Sequence, residues 1–460
     1  PVAIFIAWRR GAPEYESEAR VRYARIQGSR QEKLARLAEV QGLDHLKWRD
    51  AAKGWRSPFR PAAGGAFATW PALGDLMPWR CNGVKAGRTW VIAPEREILR
   101  RRVATLLEAR GEAGRVLFKD SPTGCKYGDT PVQLPPGGAR LCAVGELHHP
   151  DMLEMAPLGY RPFDRQVVLA DARFLDRASP RLWRAHGPRQ LYLSTLTTNP
   201  LGPGPALTAT ALIPDLHHFR GSYGARDQTP LYCDREASTP NILPGLLELL
   251  GVAYGRPPSP EELAGYLYGV LAHPAYQEGH AEPLLCREVR VPLTRERELF
   301  DQASRVGRRL LWLHTFGERF SAEFGDLPAS VAMCHRAPAG QGEKYPDDFQ
   351  YDDAAQEILV GQGGEAGRFG PVSPEVWTFS ISGLRVVKSW LGQRMRRRSG
   401  RRSSPLDEMG PTTWSAETTA ELLRLLSVLE HTLAIYPEQA SLLGIIQAGA
   451  LFTRANLSPS

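Results

Sequence analysis

The fold of this chain depends on one stretch, Gly159-Tyr-Arg-Pro-Phe-Asp-Arg-Gln-Val-Val-Leu-Ala-Asp-Ala-Arg-Phe174. Its apolar part, Gln166 to Ala170, has the length and composition of a short buried strand. Pro162 fixes its own φ and favours an extended conformation at Arg161. The residues before the strand are therefore expected to form a loop whose shape is largely set by its own sequence.

This loop carries two arginines, Arg161 and Arg165, on either side of Pro162 and Phe163. Asp164 lies between the phenylalanine and the second arginine, close enough to orient a guanidinium group. Planar donors held in this way suit phosphate groups or the edges of bases. An ordinary loop with a local salt bridge is the alternative, because most charged loop residues are simply solvated.

The composition is that of a globular protein of several domains, with 460 residues, of which 42% are hydrophobic and 23% charged. A net charge of +7 and a pI near 9.1 are compatible with a polyanionic partner. No apolar run approaches the roughly 18 residues that span a bilayer, so no membrane contact is predicted. The six cysteines are scattered without zinc-site spacing, which fits a reducing cytoplasm and predicts no metal site.

The first residues predict a β-hairpin. Val2 to Trp8 is an apolar run typical of a buried strand, and Arg20 to Ile26 alternates basic and apolar residues as a half-exposed strand does. The sequence does not start with Met and its first strand begins at once, so we expect the C-terminal part of a longer protein. Helices are predicted at Gln31–Ala38 and Pro94–Ala109, and residues 111–140, rich in Gly and Pro, predict a linker.

Further along, the chain alternates between β-rich and helical patterns. Between residues 141 and 235 the candidate strands are Val167–Leu169, Gln190–Leu196, Leu207–Leu212 and Pro230–Cys233. Residues 241–320 turn helical, with a capping box at Ser259 and an apolar stripe from Phe300 to His314. Later strands are predicted at Glu357–Val360, Trp377–Ile381 and Leu384–Val387. A last long helix is predicted to follow its N-cap at Ser415.

Three other segments place cations where an anion could approach. Lys85 and Arg88 lie in a glycine-punctuated loop before a short predicted strand, Thr89 to Ile92. Arg220 and Arg226 flank a glycine-containing turn. The most basic stretch places six arginines within nine residues: Arg394, Arg396, Arg397, Arg398, Arg401 and Arg402. This stretch either contacts a polyanion, which would make binding steeply salt-dependent, or is a solvated charged segment.

Catalytic constellations are missing from the sequence. There is no Walker loop, dinucleotide fingerprint, nucleophile elbow or His-Glu-x-x-His motif. The adjacent His217 and His218 point to opposite faces of an extended chain and do not readily share a metal. We therefore predict no catalytic residue and no metal site.

A set of separated motifs, kept in order along most of the chain, resembles the C-terminal part of type ISP restriction–modification DNA methyltransferases. The Gly83 to Arg88 loop belongs to this set. The other matching segments are Tyr160–Arg165, Leu212–Gly221, Pro230–Tyr232, Tyr268–Tyr276, Arg290–Leu293, Trp312–His314, Ser382–Trp390 and Arg401–Asp407.

The resemblance implies an α+β fold in which the methyltransferase core precedes this region. Residues 1–30 would be the last hairpin of that core, and residues 31–140 a helical and irregular connection. Residues 141–240 would form a β-rich target-recognition lobe, followed by a helical region over 241–320. Residues 321–460 would be the C-terminal specificity region, with its basic stretch and terminal helices.

The resemblance also implies sequence-specific recognition of double-stranded DNA for an adenine-specific methyltransferase. S-adenosylmethionine would bind in the upstream core, which is then a partner, and this chain alone would hold no cofactor. The residues predicted to contact DNA are Lys85, Arg88, Arg161, Phe163, Arg165, Arg220, Arg226, Arg394, Arg396, Arg397, Arg398, Arg401 and Arg402. The alternative is a protein-interaction or structural module with no DNA contact.

Overall fold

The computed structural model describes residues 4–26, 30–51, 53, 59, 65–150, 153–396 and 403–457. The helices of this part of the chain are α1 Arg30–Ala38, α2 Leu73–Leu76, α3 Arg96–Ala109, α4 Gly111–Phe118, α5 Pro180–Ala185, α6 Leu246–Tyr254, α7 Pro260–Leu271, α8 Pro274–Gly279, α9 Arg297–His314, α10 Ser321–Phe324, α11 Pro374–Thr378, α12 Val386–Arg394 and α13 Ala416–Ala448.

The strands of the same residues are short. They are β1 Arg22–Tyr23, β2 Arg49–Asp50, β3 Ile92–Ala93, β4 Met155–Arg161, β5 Asp164–Leu169, β6 Tyr192–Ser194, β7 Thr208–Thr210, β8 Ile213–Pro214, β9 Gln228–Pro230, β10 Met333–Arg336, β11 Phe349–Asp352, β12 Glu357–Val360, β13 Gly367–Gly370, β14 Ser380–Ile381 and β15 Leu384–Arg385. The α+β prediction is confirmed.

The sheet that positions the site has the strand order β3-β5-β4-β8. Strands β4 and β5 form an antiparallel hairpin, and β8 runs parallel to β4 with Leu158 opposite Ile213. This sheet packs on a core in which Trp90, Phe118 and Phe174 contact one another, with ring centroids 5.8 to 6.3 Å apart. The same core runs from Val84 through Trp183, so packing crosses the predicted boundary between residues 140 and 141.

The larger core is built around helices α7, α9 and α13. Ser259 caps α7 as predicted, since its hydroxyl accepts a hydrogen bond from the Glu262 N–H at 3.1 Å and the Glu262 carboxylate accepts one from the Ser259 N–H at 2.7 Å. Helices α7 and α9 cross closely: a Cβ on Gly307 would lie 1.7 Å from the carbonyl oxygen of Gly265. The glycine in the predicted α9 stripe is therefore required by backbone contact between two helices.

Several predicted elements are wrong. Described residues 4–26 contain one strand, β1, which pairs with β2 instead of forming a hairpin with residues 4–8. The linker predicted over 111–140 begins with helix α4, because Phe118 buries its side chain in the aromatic core. Trp377 belongs to helix α11, which starts at a Ser373 cap followed by proline, a start signal that outweighs the apolar run. Val386 and Val387 begin helix α12.

Other boundaries shift by a few residues. Thr89 to Val91 forms a 3₁₀ turn before strand β3 rather than a continuous strand. The strand predicted at Pro230–Cys233 lies at Gln228–Pro230 instead. By contrast, Glu357–Val360 and the Ser415-capped helix agree with the prediction.

Three histidines, His218, His273 and His314, are buried, and a fourth, His186, is half-buried. Burial lowers the pKa of His218, with a smaller effect of the Arg161 charge, to about 3, and burial lowers that of His314 to about 3. Burial likewise lowers the pKa of His186 and His273 to about 4. These side chains are therefore neutral in the folded protein at pH values where an exposed imidazole carries charge.

The folded protein is expected to lose stability as the pH falls below about 6.5, the ordinary pKa of histidine. The unfolded chain then takes up protons that the folded chain does not, so each buried histidine lowers the free energy of unfolding by about 1.4 kcal/mol per pH unit. Urea unfolding at pH 7.5 and pH 5.5 measures this loss, and imidazole NMR resonances report the individual groups. An unfolding free energy equal at the two pH values would contradict the expectation.

Candidate nucleic-acid interface

The tip of the β4–β5 hairpin is the turn formed by Pro162 and Phe163. Proline suits the first central position of such a turn, and Phe163 takes the left-handed conformation at the second, with φ of 61°. Its ring is held edge-on against His314, with centroids 4.7 Å apart, and against Phe379, with centroids 6.1 Å apart. Phe163 is 5% exposed, so it anchors the turn to the helical core, whereas the sequence predicted that it contacts DNA.

Arg161 leaves this turn toward strand β8. Its Nη1 donates to Asp215 Oδ1 at 2.6 Å and to the Tyr160 carbonyl oxygen at 2.5 Å, and its guanidinium lies 3.8 Å from the centre of the Tyr160 ring. The side chain is 13% exposed. Among the described residues, Nε and Nη2 have no hydrogen-bond acceptor. Asp215 therefore orients the guanidinium through Nη1 and leaves the donors of Nε and Nη2 without an acceptor within the described residues.

Asp164 orients a guanidinium as predicted, but that guanidinium belongs to Arg394, 230 residues further along the chain. Its Oδ1 accepts from Arg394 Nη1 at 2.9 Å, and both side chains are 2% exposed. Arg394 also donates to the carbonyl oxygen of Arg165 at 3.3 Å and lies 3.7 Å from the Trp390 ring centre. The first arginine of the basic stretch is thus an interior brace for the hairpin. The structure therefore encloses Arg394, which the sequence predicted to contact DNA.

The loop from Asp215 to Asp227 lies over the hairpin and is closed by its own side chains. Asp215 Oδ1 accepts from the N–H of His217 at 2.8 Å, and His217 Nδ1 accepts from the N–H of Gly224 at 3.0 Å. A Cβ on Gly224 would lie 1.7 Å from the Leu216 carbonyl oxygen, so only glycine fits there. His218 points into the core, which confirms that the two adjacent histidines face different surroundings.

Three more predicted cations lie around this loop. Lys85 comes from the Gly83 loop, which approaches so closely that a Cβ on Gly83 would lie 2.4 Å from the Asp215 carbonyl oxygen. Arg220 lies 4.9 Å from the Tyr223 ring centre and 3.5 Å from the Ser382 hydroxyl. Arg226 is exposed at the end of the loop. We call Lys85, Arg161, Arg220 and Arg226 the cationic loop surface.

The electrostatics of His217 show that Arg161 and Lys85 both act on this loop. Burial lowers its pKa, the negative charge of Asp215 opposes that effect, and the positive charges of Arg161 and Lys85 add to it. Burial of His217 therefore favours its neutral form, in which Nδ1 accepts the hydrogen bond from the Gly224 N–H that closes the loop.

Three other predicted cations lie in the described part of the chain, and each is bonded within the protein. Arg88, which the sequence predicted to contact DNA, is 2% exposed. Its guanidinium donates to the carbonyl oxygens of Cys125 and Phe174 and lies 4.3 Å from the Phe118 ring centre. Arg165 is paired with Glu318, and Arg396 lies 3.3 Å from Asp347. Arg397, Arg398, Arg401 and Arg402 lie outside the described residues.

Sequence reasoning missed the residues that support the arginines. Asp215 and Tyr160, which hold Arg161, lay inside segments already singled out but were not assigned a role. A carboxylate next to a loop of cations was the available signal for Asp215.

In the part of the chain that the structure describes, no group of three His, Cys, Asp or Glu side chains could hold a metal ion. Within the same residues, no helix has the length and apolar character needed to cross a membrane.

Together, the fold and the site define a mixed α+β domain that presents cations from separate loops around a braced hairpin. The chain belongs to the Type ISP C-terminal specificity domain family, whose model matches residues 75–425. This confirms the family resemblance noted in the sequence. No curated protein matches the chain.

Solved structures share the fold at low identity. The ATP-dependent Type ISP restriction–modification enzyme LlaBIII bound to DNA matches with a TM-score of 0.61 and 16% identity over 92% of this chain and 28% of that one. The DrdV–DNA complex matches with a TM-score of 0.59 and 15% identity over 92% of this chain and 42% of that one. A nuclease-deletion mutant of the Type ISP restriction–modification enzyme LlaGI, in complex with a DNA substrate mimic, also matches. Its TM-score is 0.56, with 15% identity over 89% of this chain and 32% of that one. The chain thus spans well under half of each of these proteins.

Proposed function

We propose that this chain recognises a specific sequence in double-stranded DNA through the cationic loop surface. The observation that carries the proposal is Arg161, held through Nη1 by Asp215 and Tyr160, with Nε and Nη2 lacking an acceptor among the described residues. Such an edge matches the O6 and N7 atoms of guanine in the major groove. Family membership, together with structural neighbours that are DNA complexes, supports the same reading.

Lys85, Arg220 and Arg226 would serve mainly to bind phosphate. They come from different loops around Arg161, and none belongs to a salt bridge within the described residues. Phosphate contacts fix the position of a protein on the duplex, whereas contacts to base edges supply sequence preference. The division assigns affinity to these three cations and discrimination to Arg161.

The wider role follows from the family and remains part of the proposal. A methyltransferase core elsewhere in the protein would bind S-adenosylmethionine and methylate an adenine amino group in the cytoplasm, while this chain selects the site. The sequence motifs of that chemistry do not occur in this chain. The alternative, a protein-interaction module, assigns the same cations to a solvated surface.

Selection from a random duplex library tests the proposal, and the full chain is expected to enrich a defined sequence. Removing three phosphate-binding charges, in the K85Q/R220Q/R226Q variant, is expected to weaken binding to all duplexes and flatten the slope of log K against log salt by about 2.7, at about 0.9 per phosphate. The matched control, R305Q/R309Q/R424Q, removes three exposed arginines from helices α9 and α13.

The control variant should keep most of the wild-type affinity. No enriched sequence for the wild-type chain, or the same loss of affinity in both triple variants, would favour the interaction-module alternative over DNA recognition.

A further inference from the structure

An open groove of about 320 Å³ lies beside the β14–β15 turn, outside the cationic loop surface. It is formed by strand β11, helix α11 and the start of helix α12. The side chains that matter for its chemistry are Phe349, Tyr351, Asp353, Trp377, Arg385 and Lys388. Arg385 and Lys388 belong to the Ser382–Trp390 motif, which the proposed site does not use.

The floor of the groove is aromatic and already packed. Trp377 stacks on Tyr351 with ring centroids 4.9 Å apart and an interplanar angle of 14°, and Phe349 meets it edge-on at 6.3 Å. The Tyr351 hydroxyl donates to the carbonyl oxygen of Val372 at 2.7 Å. Because Trp377 is 7% exposed, it has no open face on which a base could stack. A ligand must therefore interact with the polar rim.

The rim carries two exposed cations on one side. Arg385 precedes helix α12 and Lys388 lies three residues later, a spacing that places both side chains near each other. The Lys388 ammonium lies 5.3 Å from the centre of the Trp377 ring, which holds it over the groove. Among the described residues, neither cation forms a salt bridge with a carboxylate.

Acidic side chains also lie at the groove. Asp353 lines the groove, and burial followed by the negative charges of Asp353, Glu375 and Asp352 raises the pKa of Tyr351. An anion is therefore favoured at the Arg385 and Lys388 end and disfavoured next to these carboxylates.

That end is continuous with the cationic loop surface. The Ser382 hydroxyl lies 3.5 Å from Arg220 Nη1, and the Leu384 side chain lies 3.8 Å from where a Cβ on Gly221 would be. Arg385 follows Ser382 by three residues, which span at most about 10 Å of extended chain. A phosphodiester backbone that leaves Arg220 can therefore continue directly onto Arg385 and Lys388.

We propose that Arg385 and Lys388 bind the sugar–phosphate backbone of DNA next to the base pairs contacted by the cationic loop surface. This inference rests on the proposed function and extends its footprint. The occupant is a phosphate backbone and not an unstacked base, because Trp377 is 7% exposed and already stacks on Tyr351. The two cations add affinity without sequence preference.

The test compares R385Q/K388Q with the matched control R305Q/R309Q, each in the full chain and on the duplex enriched by the wild type. The R385Q/K388Q variant is expected to flatten the slope of log K against log salt by about 1.8, at about 0.9 per phosphate. Between 50 and 200 mM salt, the wild type should therefore lose about tenfold more affinity than this variant does. Preference among single-base variants of the duplex should not change. R385K/K388R, which keeps both charges, should bind like the wild type.

The outcomes separate the two proposals. A wild-type chain that enriches no duplex refutes the proposed function. If the wild type binds but R385Q/K388Q has the salt slope of the R305Q/R309Q control, the groove does not bind backbone. A rim variant that changes sequence preference with an unchanged slope would assign the groove to bases and likewise overturn the inference.

Discussion

Replacing Arg394 by methionine should lower the free energy of unfolding by about 3–5 kcal/mol, the usual cost of removing one partner from a buried ion pair. The substitution leaves the Asp164 carboxylate, 2% exposed, without the charge it now contacts at 2.9 Å. It also removes the 3.3 Å contacts to Glu421 and to the carbonyl oxygen of Arg165. Methionine keeps much of the packing against Trp390, so the loss reports the electrostatic brace.

Urea unfolding of Arg394→Met beside Arg396→Met provides the measurement and its control. Arg396 belongs to the same basic stretch but is 31% exposed and pairs with a partly exposed Asp347, so its loss should cost less than about 1 kcal/mol. The double variant R394M/D164N should regain part of the stability, because it no longer buries an unpaired charge. Equal losses for the two single variants would show that Arg394 does not brace the hairpin.

Replacing Arg161 by lysine should relax sequence preference while leaving binding to unrelated duplexes nearly unchanged. Lysine keeps the positive charge but lacks the planar fork that contacts two acceptors at once. Loss of one bidentate base contact is expected to cost about 1–3 kcal/mol of discrimination at one base pair. Competition binding against every single-base variant of the enriched duplex measures this effect.

Arg226→Lys is the matched control, since Arg226 is exposed and assigned to phosphate. Its sequence preference should equal that of the wild type. Asp215→Asn should resemble Arg161→Lys, because it removes the carboxylate that accepts from Arg161 Nη1 at 2.6 Å. If Arg161→Lys weakened all duplexes equally, Arg161 would be a phosphate contact and the division of roles would be wrong.

The sequence alone determined much of the local structure and the family. The Ser259 and Ser415 caps mark where α7 and α13 begin, and the apolar run of the quoted stretch became strand β5. These signals act between residues a few positions apart, so they can be read without knowing the fold. The family followed from the order of many weak motifs, which survives even at low identity.

The tertiary structure decided which of the predicted cations reach the surface. Arg88 and Arg394 looked no different in sequence from Lys85 and Arg220, yet the first two are enclosed and the last two are accessible. Arg394 is buried because its acceptor Asp164 lies 230 residues away along the chain, beyond the reach of any local pattern. A charge is buried only where the fold supplies partners that offset its desolvation, and those partners come from distant segments.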